Sequence, residues 1–229
     1  MPGALLKAAV MERICEPELM EGLDQVQAYA AADFSSSDQA AVARILELWA
    51  AGSRAFSPRR IVDLGCGPGN LTIPLAQRLP EAEVVGLDGS AAMLAEAERR
   101  RPGSRPQFQR AILPQLPGDL GRFDLLVSNS LLHHLHDPAV LWGAITRLAA
   151  PGALVVVKDL RRPADAAEVE TLVQRHASAA PPVLQRDYRA SLHAAFRPEE
   201  VAQQLRAAGL PLQVQALEDR YLEVWGRLP

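Results

Sequence analysis

The sequence predicts an α/β fold in which a mainly parallel sheet has helices on both faces and a helical extension precedes it. From Arg60 onward, short apolar runs rich in β-branched residues alternate with segments of helical periodicity, which is typical of parallel sheets covered on both faces. Before Arg60, apolar residues recur only at helical spacing. The 229 residues, 48% of them hydrophobic, suit one domain over 1–229.

The first 55 residues predict two helices. One runs toward Tyr29, and the other begins near Ser37, a suitable N-cap, and ends at Gly52. Their apolar faces contain Leu19, Leu23 and Val26 in the first helix, and Val42, Ile45, Leu46 and Trp49 in the second. We therefore expect a helical cap over 1–55 in front of a core over 56–229.

In the core, strands and helices alternate. The patterns predict strands over 61–65, 83–88, 122–129 and 151–160, helices over 71–79, 90–101, 136–149, 164–179 and 198–208, and two closing extended runs over 212–219 and 221–227. A lid insertion is expected at about 161–196. Because crossovers in such sheets are right-handed, the loops after the strands share one edge, and ligands bind there.

The composition excludes several classes of partner. With 24 basic and 27 acidic residues the formal charge is −3, so we expect no general binding of nucleic acid. No apolar run approaches the roughly 20 residues that cross a bilayer, so no membrane partner is expected. Cys15 and Cys66 lack CxxC spacing and suit a reducing compartment, which predicts a cytoplasmic protein. The oligomeric state stays open.

A glycine-rich turn follows the first predicted strand. Asp63 precedes three glycines at alternate positions, Gly65, Gly67 and Gly69, and a helix follows. Such a turn lets backbone approach a ligand closely, and the free N–H groups of the helix hold a carboxylate or a phosphate. Asn70 stands where a dinucleotide fingerprint needs glycine, and the G-K-[ST] of a P-loop is absent. The interpretations of this turn as a dinucleotide-binding fingerprint and as a P-loop are therefore both weakened.

Residues 63–70 resemble the first motif of the class I S-adenosylmethionine-dependent methyltransferases, an acidic residue followed by G-x-G-x-G. Asp88, which ends the next strand, matches the acid by which that family accepts both ribose hydroxyls. Residues 123–135 and 151–154 resemble the family's fourth strand with its loop and the turn into its fifth strand. The resemblance spans about residues 60–160. It implies a Rossmann-like, seven-stranded sheet and S-adenosyl-L-methionine as cofactor.

The resemblance also implies site residues. Asp63, Gly65, Gly67 and Asn70 would hold the methionyl end of the cofactor, Asp88 the ribose, and residues 128–131 the floor beneath adenosine and sulfonium. The complete set of expected cofactor-binding residues is Tyr29, Asp63, Gly65, Cys66, Gly67, Asn70, Asp88, Gly89, Ser90, Met93, Ala111, Ile112, Leu113, Ser128, Asn129, Ser130 and Leu131.

One segment departs from the family pattern. Many members carry an acid before a Leu-Pro pair, where it accepts from the adenine amino group, but residues 110–117 contain no acid before Leu116. Backbone groups of 111–113 and apolar packing would then replace that contact.

Two residues are candidates for catalysis. His133 follows the fourth strand on the ligand edge and Asp159 ends the fifth, a spacing similar to the His–Asp pair of some small-molecule O-methyltransferases. His133 would act as a base and Asp159 would orient it; the alternative is that His133 only packs against the cofactor or caps a helix. No metal site is expected from His133, His134, His136 and Asp137, because adjacent histidines tend to point apart.

The predicted function is methyl transfer from S-adenosylmethionine to a small-molecule acceptor, with oxygen favoured. Residues 128–131 lack the Asn/Asp-Pro-Pro-aromatic tetrad that family members use for planar amino groups, so nitrogen ranks lower. Tyr29, on a helical flap, would contact the cofactor or the acceptor; the alternative is that it only packs its helix. The polar segment 185–193 would bind the acceptor; the alternative is that it only solvates a surface helix. The alternative functions are a cofactor-binding or regulatory protein without turnover, and a nicotinamide-dependent dehydrogenase, which Asn70 opposes.

Overall fold

The computed structural model describes residues 11–52, 57–103 and 105–229 and contains one seven-stranded sheet. Its strands are β1 (Arg60–Leu64), β2 (Glu83–Asp88), β3 (Gln107–Arg110), β4 (Phe123–Asn129), β5 (Ala149–Leu160), β6 (Gln213–Leu217) and β7 (Tyr221–Arg227). The strand order is β3-β2-β1-β4-β5-β7-β6, and β7 alone among these strands runs in the direction opposite to the other six. The prediction of a mainly parallel, Rossmann-like sheet is confirmed.

Helices cover both faces of this sheet. They are α1 (Leu23–Ala31), α2 (Ser35–Ala51), α3 (Thr72–Arg78), α4 (Ala91–Arg100), α5 (Ala139–Leu148), α6 (Ala166–Ala177), α7 (Pro182–Ala194) and α8 (Pro198–Ala207), with a 3-10 turn over Leu132–His134. Neighbouring residues of a strand point to opposite faces, so Ile61 and Leu125 pack toward α2 and α3, whereas Val62 and Leu126 pack toward α5 and α8. All four side chains are fully buried.

Two helix starts differ from the prediction. The second helix begins at Ser35 rather than Ser37, because the Asp33 carboxylate accepts a hydrogen bond from the Ser35 amide at 2.9 Å. The first begins at Leu23, and Leu19 lies outside it, packed under Gly89. The predicted cap over 1–55 includes residues 1–10 and 53–55, which lie outside the described residues.

Helix α7 is an element that the sequence analysis did not identify. Pro182 occupies its first turn, and Leu192 is fully buried against α6. Together α6 and α7 form most of the segment 161–196 that was expected to be a lid insertion. Across the described ranges, every helix is too short or too polar to cross a bilayer.

Candidate functional site

A cavity of about 910 Å³ lies at the carboxyl ends of the strands. The cap helices, the glycine-rich turn, the 3-10 turn and α7 all contribute to its wall. Of the residues predicted to bind cofactor, those in the wall are Tyr29, Asp63, Gly65, Cys66, Gly67, Asn70, Asp88, Gly89, Ser90, Met93, Ala111, Ile112, Leu113, Asn129, Ser130 and Leu131. One predicted residue, Ser128, is not part of the wall; its hydroxyl donates to the Leu64 carbonyl at 2.7 Å, inside the sheet.

The glycine-rich turn is built in left-handed backbone. Gly65 has φ +72° and Gly67 φ +53°, values that L side chains rarely adopt. A Cβ atom at Gly65 would lie 2.8 Å from the Leu131 side chain, whereas one at Gly67 would meet nothing within 4 Å of it among the described residues. The turn thus presents bare backbone to the cavity, so that a ligand can approach its amides closely.

The Asp88 carboxylate is oriented by that backbone. One oxygen accepts from the Gly67 amide and the other from the Ser90 amide, both at 2.8 Å. Burial raises the pKa of Asp88, although the amides of Ser90, Gly67 and Gly89 act in the opposite direction. Each carboxylate oxygen keeps lone-pair capacity for a further donor. A pair of hydroxyl donors from the cavity fits this arrangement.

Asp63 is buried beneath the turn with one oxygen unused. Its Oδ2 accepts from the Thr72 hydroxyl at 2.6 Å, while Oδ1 has no hydrogen-bond partner among the described residues. Burial raises the pKa of Asp63 to about 7. A buried carboxylate oxygen without a donor is costly, so this position favours a ligand that brings a positively charged or N–H group.

The far end of the cavity is lined by main chain and apolar side chains of residues 111–113. The Ala111 amide donates to the Asp88 carbonyl at 2.9 Å, which fixes this segment beside β2. At the opposite side of the turn, the Asn70 side chain accepts from Arg100 at 2.7 Å, so its amide group is held at the cavity edge.

His133 and Asp159 form the pair that the sequence predicted. His133 Nδ1 lies 2.5 Å from Asp159 Oδ1, and both side chains are buried. The Leu132 amide donates to the other Asp159 oxygen at 2.7 Å, which fixes the carboxylate. His133 reaches the cavity wall, and Asp159 stands behind it. Burial acts to lower the pKa of His133, but the carboxylates of Asp159 and Glu16 outweigh it and raise the pKa overall.

Glu16 was not identified from the sequence. It lies on residues 11–21, named here the N-terminal strap, and its Oε1 lies 3.5 Å from His133 Nε2 and 3.3 Å from His134 Nδ1. Contrary to expectation, the adjacent imidazoles both face this carboxylate. The three donor atoms lie within 4.8 Å of one another. The carboxylates of Glu16 and Asp159 lie on either side of the His133 ring, and the expectation of no metal site stays a prediction.

The remaining wall combines polar and apolar groups. Lys158 Nζ donates to the Ser37 hydroxyl at 3.1 Å and lies 4.1 Å from the centre of the Tyr221 ring. Tyr29, whose pKa is raised by burial, packs against Phe34 with ring centres 4.9 Å apart. Neither Ser37 nor Lys158 was predicted as a site residue, because the cap folds back onto β5 only in the tertiary structure.

The polar segment 185–193 divides between cavity and surface within α7. Asp187, Tyr188 and Ser191 line the cavity, whereas Arg189 pairs with Glu170 on the exposed side of the helix. Part of the segment is therefore placed to contact a ligand.

Comparisons with known proteins locate the sequence similarity in the middle of the chain. Residues 61–152 match a family model described as a methyltransferase domain. The trans-aconitate 2-methyltransferase of Methylobacterium nodulans is 45% identical over 102 residues, which cover 44% of this chain and 38% of that protein. The chain thus matches well under half the length of this curated relative.

Two solved structures share the fold over most of the chain. A SAM-dependent methyltransferase from Aquifex aeolicus superposes with a TM-score of 0.67 at 14% identity, covering 92% of this chain and 100% of the other. The magnesium protoporphyrin IX methyltransferase of Synechocystis PCC 6803, with bound SAH, gives 0.57 at 21% identity, covering 89% and 94%. At these sequence identities, the similarity to the two solved structures shows a shared fold only.

Proposed function

We propose that this chain is a class I S-adenosylmethionine-dependent methyltransferase and that it transfers a methyl group from S-adenosylmethionine to an oxygen of a small molecule. One observation carries the proposal. A single cavity joins the glycine-rich turn, the two carboxylates Asp63 and Asp88, and the His133–Asp159 pair. The proposed cofactor site and the proposed base, His133, would therefore share one cavity.

The residues present fit the cofactor. Asp63 Oδ1, buried without a donor, would accept from the ammonium of the methionyl group. Asp88 would accept from the ribose hydroxyls, and the bare backbone at Gly67 would lie against the nucleoside. Residues 111–113 would hold adenine through backbone and apolar contacts, in place of the acid that many relatives use. Tyr29 and Asn70 would close the methionyl end.

The cofactor supplies a methyl group already activated by the positive charge on sulfur. The protein would position the acceptor oxygen in line with the methyl–sulfur bond and exclude water. His133 Nε2 would take the proton of the acceptor as the new O–CH₃ bond forms, while the electron pair of the broken S–CH₃ bond stays on sulfur. Asp159 would hold the imidazole through Nδ1 and stabilise its charged form.

Calorimetry tests the cofactor assignment. We expect S-adenosylmethionine and S-adenosylhomocysteine to bind and NAD not to bind. Replacing Asp88 by Ala should weaken binding by about 10-fold or more, because two charge-assisted hydrogen bonds are lost. Binding of NAD alone, or unaltered affinity in Asp88→Ala, would contradict the assignment.

A second experiment tests turnover. We expect His133→Asn to bind S-adenosylhomocysteine as the wild type does and to lower methyl transfer by about 10²–10⁴-fold. Methyl transfer would be followed by mass spectrometry over a panel of small hydroxyl compounds and acids, trans-aconitate included. If the wild type binds cofactor but methylates no small molecule, the alternative of a binding or regulatory protein is supported instead.

A further inference from the structure

The N-terminal strap is anchored near both of its ends, and its residues Glu18, Leu19 and Met20 line the cavity. Near its start, the Arg13 guanidinium donates to the carbonyls of His133 at 2.9 Å and Leu135 at 2.8 Å. Near its end, the Ser90 hydroxyl donates to the Met20 carbonyl at 2.6 Å. The strap therefore connects the predicted base to the ribose side of the cavity, and the side chains between these anchors have defined positions.

Between those anchors, the Glu16 carboxylate is buried and only half satisfied. Its side chain is 10% exposed, and Oε2 accepts from the Ser191 hydroxyl at 3.2 Å. Oε1 has no hydrogen-bond partner in the described part of the chain, and it lies 3.5 Å from His133 Nε2. Because Asp159 already occupies Nδ1, the imidazole has one carboxylate at each nitrogen.

The charges around this imidazole are predominantly negative. Asp159 faces it from β5, Glu16 from the strap, and Asp187 on α7 adds to the field at Glu16. Burial lowers the pKa of His134 to about 3, so that ring is neutral near pH 7. Arg13 is the cation that acts on His133, and its guanidinium is directed at main-chain carbonyls.

We infer that Glu16 is a positioning residue that strengthens His133 as a base and makes the site select a hydroxyl acceptor over a carboxylate acceptor. A carboxylate is already an anion near pH 7, so it needs no base, and two fixed carboxylates would repel it. A hydroxyl must lose its proton, and the imidazolium formed would be stabilised from both sides. This inference rests on the proposed methyl transfer.

The first test is an NMR titration of the His133 ring in protein labelled with ¹³C-histidine, without any acceptor. Glu16→Gln removes a charge and keeps an oxygen for the Ser191 hydroxyl, so we expect the pKa of His133 to fall. Glu16→Asp should restore part of the difference. Glu12→Gln, an exposed site on the same strap, is the matched control and should leave the pKa of His133 unchanged. An equal pKa in Glu16→Gln and wild type overturns the inference.

The second test compares acceptors that differ only in the nucleophile, p-cresol and p-toluate, together with trans-aconitate. We expect methylation of the hydroxyl compound to exceed that of both acids. Glu16→Gln should lower kcat for the hydroxyl compound by about 10-fold, with the acid limb of the pH profile displaced to lower pH, because the base binds its proton less tightly. The kcat of Glu12→Gln should stay at the wild-type value.

The results separate this inference from the proposed function. If the wild type binds S-adenosylmethionine and methylates trans-aconitate or p-toluate at least as fast as p-cresol, the inference is overturned and methyl transfer stands. If no cofactor binds, the proposed function fails, while the titration of His133 still reports whether Glu16 acts on the imidazole.

Discussion

We expect Asp63 to couple cofactor binding to pH. Its folded-state pKa, raised by burial to about 7, lies above the ordinary value of an aspartate, so the free protein holds a proton there at pH 6. Ionised Asp63 would pair with the ammonium of the cofactor, and binding at pH 6 should therefore release that proton. By the same linkage, the stability of the free protein decreases as pH rises from the ordinary range of an aspartate toward 7, because the buried group must ionise.

We accordingly expect the affinity for S-adenosylmethionine to increase from pH 6 to about pH 7, and then to level off with respect to Asp63. Calorimetry at pH 6 in buffers with different ionisation heats measures the number of protons released. The number should fall in Asp63→Asn, which stays neutral throughout. Equal proton release in wild type and Asp63→Asn would show that Asp63 is not the coupled group.

The site residues that the sequence predicts are those whose chain neighbours determine their position. Gly67 lies in the turn after β1 and Asp88 is the last residue of β2, so the edge they occupy follows from the alternation of elements. His133 follows β4 and Asp159 lies near the end of the neighbouring parallel strand β5, so their contact follows from the strand order. Glu16 has no such neighbour. Its contact with His133 comes from an irregular strap folded across the sheet edge, and no local period predicts that packing.

Among the elements, α2 is attached to the sheet by an ion pair as well as by apolar packing. Arg44 donates to both carboxylate oxygens of Glu223 on β7 at 3.1 Å, and the Glu223 side chain is 3% exposed against 40% for Arg44. Gln215 also donates to Glu223, at 3.2 Å. Because α2 carries Ser37 and part of the cavity wall, this pair helps to hold the cap over the site.

We expect Arg44→Met to lower the free energy of unfolding by about 1–2 kcal/mol, discounted from a fully buried pair because Arg44 is partly solvated. The loss arises from leaving the Glu223 carboxylate buried without its main partner. Urea denaturation measures it. The double variant Arg44→Met with Glu223→Met removes both charges and should recover most of the loss; a double variant as unstable as the sum of its single variants would contradict this account.

Element prediction succeeds where a segment is a continuous apolar run and fails for a helix whose polar residues are divided between cavity and surface. Strands β1, β2, β4 and β5 were predicted because their residues are almost all buried. Helix α7 was not, because its polar residues serve both cavity and surface, and its sequence gives a mixed pattern. Ser37 looked like an N-cap, but Asp33, four residues earlier, satisfies the first amide of α2 instead.

At the scale of the whole molecule, burial is unevenly distributed between core and cap. Most of β5 is buried, whereas α1 buries only Val26 among its residues and has no side-chain cap at its N-terminus. Local opening takes least free energy where few apolar contacts are lost, so α1 is expected to open without global unfolding. Because Tyr29 on α1 lines the cavity, a bound cofactor would have to leave before α1 opens.

Hydrogen exchange followed by mass spectrometry checks this coupling. In the free protein the amides of α1 should exchange faster than those of β5. With S-adenosylmethionine at 100 times its Kd, exchange in α1 should slow by up to about 100-fold, because opening then competes with binding by mass action. Asp88→Ala, which lies outside α1, should reduce the slowing at the same ligand concentration to about 10-fold or less. If the wild type binds the cofactor while α1 exchanges at its original rate, the cap does not close over the site, and Tyr29 has no part in holding the ligand.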